Sequence, residues 1–180
     1  MITVFMRRLA GAALLDPATY EDVEADRGAT IQAIGVVVLA SLAAGVGARG
    51  ASGAGPALKF FVVGTILSLM AWVAFAVLTF QIGTGVLSHP DTRADAGQLL
   101  RTLGFAAAPG LLQVFAIFGG LTIPIFAIAI AWTLVASVVA VRQALDYPTT
   151  RRAVAVCGLA WLLALLIAVL FVAVVASVTA

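Results

Sequence analysis

Residues 153–178 read AVAVCGLAWLLALLIAVLFVAVVASV, a run without a single charged side chain. A helix needs about 20 predominantly apolar residues to cross the hydrocarbon layer of a bilayer, so this run is long enough to span a membrane. The whole chain has the same character, because 63% of its 180 residues are hydrophobic and only 10% are charged. Soluble domains are about one quarter charged. The sequence therefore predicts an all-α integral membrane protein.

Four further apolar segments precede this run. The five segments have approximate bounds of 31–48, 60–83, 99–118, 121–141 and 153–178. We expect residues 29–180 to form a domain of five transmembrane helices, and residues 1–28 to form an N-terminal cytoplasmic and membrane-surface segment. The third segment is the least regular, because Pro109 and Gly110 predict a break in its helix. It is either a kinked span or a re-entrant segment.

The N-terminal segment contains two predicted helices. Apolar residues recur at helical spacing over residues 2–15, and Arg7 and Arg8 project from the opposite side, which predicts an amphipathic helix on the membrane surface with both arginines near anionic headgroups. Asp16 before Pro17 is typical of a helix start. The second helix carries a group of acidic residues, which favours a solvated face: Glu21, Asp22, Glu24 and Asp26.

The charged residues predict the topology. With a cytoplasmic N-terminus and five spans, the basic residues on the inside are Arg7, Arg8, Arg27, Arg93, Arg101, Arg142, Arg151 and Arg152. Only Arg49 and Lys59 fall outside. The acidic residues all fall inside: Asp16, Glu21, Asp22, Glu24, Asp26, Asp91, Asp95 and Asp146. The positive-inside rule therefore predicts a multi-pass protein of the cell inner (cytoplasmic) membrane, with its C-terminus outside.

The sequence contains one apparent cofactor motif, which we interpret as part of a pattern of small residues. Residues 45–50 match the G-x-G-x-x-G pattern of dinucleotide sites, but neither a preceding strand nor the acidic residue such a site needs is present, so we interpret the match as fortuitous. Ser41 and Gly45, like Gly64 and Ser68, are four residues apart. This spacing of small residues favours close packing of helices inside the bundle.

The sequence offers little catalytic chemistry. It has no Ser, His and Asp constellation and no second histidine or cysteine to complete a metal site around His89 or Cys157. The middle of each span also lacks the acid or base that proton pathways usually need. A net charge of +2 is too small to suggest nucleic-acid binding. We therefore expect no enzymatic activity, no cofactor and no nucleic-acid partner.

Polar residues gather on the predicted inside. They could form one cytoplasmic docking face, whose candidate residues are Asp16, Tyr20, Glu21, Glu24, Asp95, Arg101, Arg142, Asp146, Tyr147, Arg151 and Arg152. We expect Asp95 or Asp146 to pair with a nearby arginine, since unpaired charges at a membrane boundary are costly.

Three strings of residues carry a resemblance to a known family. They are LDPATYE at 15–21, RTLGFAAAPGLL at 101–112 and VRQALDY at 141–147, the last ahead of a span that contains Trp161. Together with the five-span layout they resemble bacterial members of the Yip domain family of Rab/Ypt-interacting type. Eukaryotic members are associated with Rab-type GTPases and vesicle traffic, so the resemblance implies an adaptor or membrane-shaping role. It does not carry a GTPase partner over to this chain.

Three functional hypotheses follow. The first is a non-enzymatic membrane scaffold or adaptor, or an accessory subunit of a larger membrane complex, whose partners are membrane lipids and an unidentified protein. The second is a channel or transporter component, suggested by the break at Pro109 and Gly110 and by tryptophans within the spans. The third, a lipid-handling enzyme, has the least support.

Overall fold

The computed structural model describes residues 2–50, 56–87 and 95–179. These residues form helices and, within those ranges, no strand. The α-helices are α1 (Ile2–Ala13), α2 (Pro17–Ala25), α3 (Ala29–Gly50), α4 (Ala57–Gln81), α5 (Ala96–Ala106), α6 (Thr122–Ala144) and α7 (Thr150–Thr179). A π-helical turn, Ile82–Val86, extends α4, and two 3-10 segments, Ala108–Ile117 and Gly119–Leu121, connect α5 to α6.

Five helical stretches are long and apolar enough to cross a membrane. They are Ala29–Gly50, Ala57–Val86, Ala96–Ile117, Thr122–Ala144 and Thr150–Leu170. This confirms the predicted class, an all-α membrane protein with several apolar helices. His89 lies outside the described residues, as do Asp91 and Arg93, which the sequence places on the inside.

The third stretch lies at the centre of the bundle. Its α-helix ends at Ala106 and continues as a 3-10 helix from Ala108, because proline has no N–H to donate and disfavours the α conformation of the residue before it. Every residue from Arg101 to Gly110 is buried. This central position explains the unusual composition, since neighbouring helices can satisfy polar groups that lipid could not.

Glycines on α3 allow its neighbours to approach closely. A methyl group on Gly45 would overlap the Phe61 carbonyl oxygen of α4, and methyl groups on Gly47 and Gly50 would overlap the carbonyl oxygens of Gln113 and Ala116 in the 3-10 segment. The glycines of the apparent dinucleotide motif are therefore contact points between backbones. The prediction that small residues serve packing within the bundle is confirmed at Gly45.

The two N-terminal helices pack against one end of the bundle, which we call the polar end. There α2 contacts α5 and α6, and α1 contacts α2, α5 and the longer 3-10 segment. The Phe5 and Phe105 rings lie 6.4 Å apart. The Trp132 Nε1–H donates to the Ala13 carbonyl oxygen at 2.8 Å. One side of α1 is thus attached to the bundle, whereas Ile2 and Met6 on its other side are exposed.

Candidate functional site at the polar end

Arg8 is buried, contrary to the expectation that both arginines of α1 extend toward lipid headgroups. Its side chain is only 6% exposed, and its Nε and Nη1 atoms lie 2.9 Å from carboxylate oxygens of Asp22 and Asp26 respectively. Its Nη1 also donates to Gln32 Oε1 at 3.3 Å. Arg7 remains largely exposed. Asp22 lies in the last turns of α2 and Asp26, four residues on, is the residue that caps its C-terminal end, and both carboxylates face Arg8. This spacing was the available sequence signal for the pair.

This ion-pair cluster predicts that the attachment of α1 depends on pH. The Arg8 side chain holds the pKa of Asp22 and of Asp26 below its usual range by hydrogen bonding and by charge. Because these pKa values are lower in the folded protein than in the unfolded chain, ionisation of the two carboxylates stabilises the folded state. This stabilisation is fully present above the ordinary Asp pKa of about 3.9 and is lost as the pH falls through the lowered values. We expect α1 to detach in that acidic range, well below neutral pH.

Trp132 provides the measurement, because its indole bonds to the last residue of α1. In a Trp72→Phe, Trp161→Phe background, the emission of Trp132 should shift to the red as α1 leaves and should be unchanged between pH 5 and 8. The Arg8→Gln variant should show the shifted emission already at neutral pH. An acid transition of equal size in this variant would show that the Arg8 carboxylates are not its cause.

Arg101 connects α5 to the end of α2. Its Nε–H donates to the Val23 carbonyl oxygen at 3.1 Å, and its Nη2 donates to the Glu24 carbonyl oxygen. The last carbonyl groups of a helix have no partner within the helix and carry the negative end of its dipole, so a guanidinium group suits this position. The side chain is buried. Arg101 therefore fixes α2 on the bundle, and it is not available to a partner.

Two tyrosines of the predicted docking face are also buried. The Tyr20 hydroxyl donates to the Ala12 carbonyl oxygen at 2.9 Å and so ties α2 to α1. The Tyr147 hydroxyl lies 2.8 Å from the Gly83 carbonyl oxygen and 3.2 Å from that of Leu87, at the π-helical end of α4. Desolvation by burial raises the pKa of both phenols. Both residues therefore stabilise the fold at neutral pH as hydroxyl donors.

Two acidic residues of the predicted face begin helices. The Asp16 carboxylate accepts from Ala18 N and from the Thr19 hydroxyl at the start of α2. Asp95 forms a capping box with Gln98 at the start of α5. The expected pairing of Asp95 with an arginine is thus replaced by a cap. Asp146 is exposed and has a φ of 50°, a left-handed conformation that Asp adopts more readily than most residues.

The remaining polar residues surround a pocket at the polar end, which we call the acidic pocket. Its volume is about 480 Å³. It is lined by Glu21, Glu24, Ala25, Gln98, Arg142, Gln143, Asp146 and Tyr147. Gln143 Nε2 donates to Glu21 Oε1 at 2.7 Å and so joins α6 to α2. Gln98 and Gln143 are among the polar residues that the sequence places on the predicted inside face. Of the predicted face, Arg151 is exposed and Arg152 lies over the Tyr147 ring.

The acidic pocket has an excess of negative charge. Three carboxylates face one guanidinium group, that of Arg142. Burial raises the pKa of Glu24, the neighbouring Asp146 charge raises it further, and Arg101 opposes both effects. A cation placed in the pocket would relieve this crowding of negative charge. Across the described ranges, no three His, Cys, Asp or Glu residues are arranged to hold a metal ion. The arrangement suits the side chain of a lysine or an arginine.

Comparison with known proteins identifies the family. Searches of the curated proteins and of the solved structures find no match. The family model of the Yip1 domain, however, matches residues 12–172, which is most of the chain and includes α2, the acidic pocket and the broken third stretch. The protein therefore belongs to the Yip1 domain family of multi-pass membrane proteins.

Proposed function

We propose that this protein is a non-enzymatic membrane scaffold or adaptor that binds a basic segment of a partner protein in its acidic pocket. The observation that carries the proposal is the charge of this pocket's lining, which contains three acidic residues, Glu21, Glu24 and Asp146, and a single arginine. Membership of the Yip1 domain family is consistent with such a role. Buried Tyr20 and Arg101 hold the pocket's walls in place and do not line it, whereas Tyr147 lines the pocket and bonds through its hydroxyl to the π-helical end of α4.

We further propose that the polar end faces the cytoplasm of a cell inner membrane. The charge bias along the sequence supports this orientation, because Arg49 and Lys59 are the only charged residues assigned to the other side. In this arrangement residues 1–28 lie at the cytoplasmic surface and residues 29–180 form the membrane domain. Gly110 packs on Ala40, whose Cβ would lie 3.3 Å from an added methyl group. The helix break thus serves packing, and we do not propose a channel.

A photoreactive amino acid at position 143 tests the proposal directly. In living cells it should crosslink a protein partner, and the crosslinked peptide of that partner should be rich in lysine or arginine. The same amino acid at position 58, which is exposed at the other end of the bundle, is the matched control and should not capture that partner. A membrane-impermeant maleimide should label an Asp146→Cys, Cys157→Ala variant in inverted membrane vesicles but not in intact cells.

Removing the negative charge should weaken this crosslink. A Glu21→Gln, Glu24→Gln, Asp146→Asn variant keeps the shape of the pocket, since asparagine tolerates the left-handed conformation of residue 146. We expect the yield to fall at least tenfold, whereas Lys59→Gln should leave it unchanged. An undiminished yield in the triple variant would rule out charge recognition by these carboxylates. Labelling of position 146 in intact cells would reverse the proposed orientation.

A further inference from the structure

A cavity of about 370 Å³ lies inside the membrane domain. Helices α3, α4, α6 and α7 contribute its walls, together with the central third stretch. Along α4 its lining extends from Gly64 to Phe75, which corresponds to about 16 Å of helix. The lining thus follows about three turns of α4, a length that suits a hydrocarbon chain lying along the helices.

The cavity opens toward lipid in the half of the bundle away from the polar end. On α7 the buried residues are Ala153, Val156, Cys157, Ala160 and Ala164. Beyond Ala164 this series is interrupted, and Leu165 and Leu166 are about half exposed. On α4, Phe75, Ala76 and Thr79 are buried, but no residue between Ala57 and Ala74 is. The opening therefore faces the hydrocarbon chains of the bilayer.

The lining is apolar except for a group of neutral polar side chains at mid-depth. The described lining residues include no charged side chain, and the polar ones are Ser41, Ser68, Trp72, Gln113, Thr133, Ser137 and Trp161. Ser41, Ser68 and Thr133 lie near the middle of their helices. An ionised ligand would find no counter-charge here, so the lining selects a neutral molecule.

One buried polar group of this lining lacks a partner among the described residues. The Thr133 hydroxyl is buried and makes no hydrogen bond to any described residue. Gln113 Nε2 also faces Gly110, and this atom and the Thr133 hydroxyl oxygen would each be 3.9 Å from a methyl group on that residue. A threonine within a membrane helix can bond to its own backbone, as Ser137 does here at 2.8 Å to the Thr133 carbonyl oxygen. A hydroxyl left without a bond in a site lined by small apolar residues points to a ligand oxygen.

We propose that this cavity binds a neutral lipid, whose hydrocarbon chain fills the cavity and whose hydroxyl or carbonyl oxygen bonds to the Thr133 hydroxyl. The inference is independent of the acidic pocket and of the partner proposed for it. The length of the lining accounts for the hydrocarbon chain, the uncharged lining for the neutrality of the lipid, and the unpaired Thr133 hydroxyl for the oxygen.

Trp72 and Trp161 line the cavity, and Trp132 does not, which provides a direct measurement. In a Trp132→Phe variant reconstituted in bilayers, a long-chain alcohol brominated along its chain should quench the tryptophan emission saturably, with one alcohol per protein chain. Phosphatidylcholine brominated at the same depth should quench weakly and without saturation. We expect the Thr133→Val variant to lose about tenfold in affinity for the alcohol, the effect of one neutral hydrogen bond.

Filling the cavity gives the second arm of the test. Ser68→Phe should abolish saturable quenching, whereas Ala131→Phe on the exposed side of α6 should not change it. Unsaturable quenching that is equal in Ser68→Phe and in the parent would show only bulk lipid and overturn the proposal. Equal affinities of Thr133→Val and its parent would overturn the assigned oxygen site. Tryptophans that neither probe quenches would indicate a cavity covered by protein and would also overturn it.

Discussion

Replacing Arg101 by methionine is expected to lower the melting temperature of the detergent-solubilised protein by roughly 10 °C and to release α2 from the bundle. The guanidinium group donates to the carbonyl oxygens of Val23 and Glu24, and hydrogen bonds from a charged donor are worth about 1.5–3 kcal/mol each. Each kcal/mol corresponds to roughly 2–4 °C for a chain of this size. Methionine fills a similar volume but leaves both carbonyl groups without a donor.

Arg101→Lys should lie between the parent and the methionine variant, because an ammonium group cannot serve two carbonyl oxygens with the fixed fork of an arginine. Arg27→Met is the matched control: Arg27 is exposed after the same helix, and its substitution should move the midpoint by less than about 2 °C. Hydrogen exchange should locate the loss of protection in α2. A loss spread evenly over α3 to α7, with α2 unaffected, would contradict the role assigned to Arg101.

The acidic pocket depends on the same contacts. Glu21 and Glu24 belong to α2, and this helix is held by Arg101 from α5 and by Arg8 from α1. Arg101 also lowers the pKa of Glu24, so its loss should raise that pKa further. Interactions that stabilise the polar end therefore also set the charge of the pocket. A partner that binds there should protect α2 from hydrogen exchange.

Composition and charge placement were sufficient to predict the fold class. Apolar runs long enough to span a bilayer leave few alternatives to membrane helices, and Pro109 marks where the third one changes from α to 3-10 geometry. Its location at the centre of the bundle was not predictable from the run alone. Arg101 and Gly104 in the same stretch were the signal, because such residues are tolerated best where protein surrounds them.

The individual roles of polar residues were harder to predict. Judged by residue type alone, a docking surface could include Tyr20, Tyr147 and Arg101. In the structure, each of them bonds to a backbone carbonyl oxygen of another helix. A carbonyl group exists at every residue, so the sequence contains no pattern that reveals such a partner. Arg8 was different in kind, since its partners Asp22 and Asp26 are side chains at helical spacing. Pairs of this type are the ones that sequence patterns can indicate.

Gly47→Ala is expected to destabilise the protein by about 1–3 kcal/mol, the usual cost of overpacking, although alanine is the better helix former. The added methyl group would overlap the Gln113 carbonyl oxygen and would lie 2.8 Å from Cε2 of Phe126. The backbone of the 3-10 segment cannot move away without disturbing its contacts with α6. Reversible unfolding in mixed detergent micelles would measure the change in the free energy of unfolding.

Gly35→Ala on the same helix separates packing from helix propensity. Nothing lies within 4 Å of the methyl group it would add, so this variant should gain about 0.5–1 kcal/mol through a less flexible unfolded chain. Gly50→Ala should lose stability as Gly47→Ala does, since its methyl group would lie 2.8 Å from Ile117 Cα and would overlap the Ala116 carbonyl oxygen. If all three variants gain stability alike, α3 does not approach the 3-10 segment this closely. A gain in stability for Gly35→Ala, together with a loss for Gly47→Ala and Gly50→Ala, would establish that the central stretch packs against the glycines of residues 45–50.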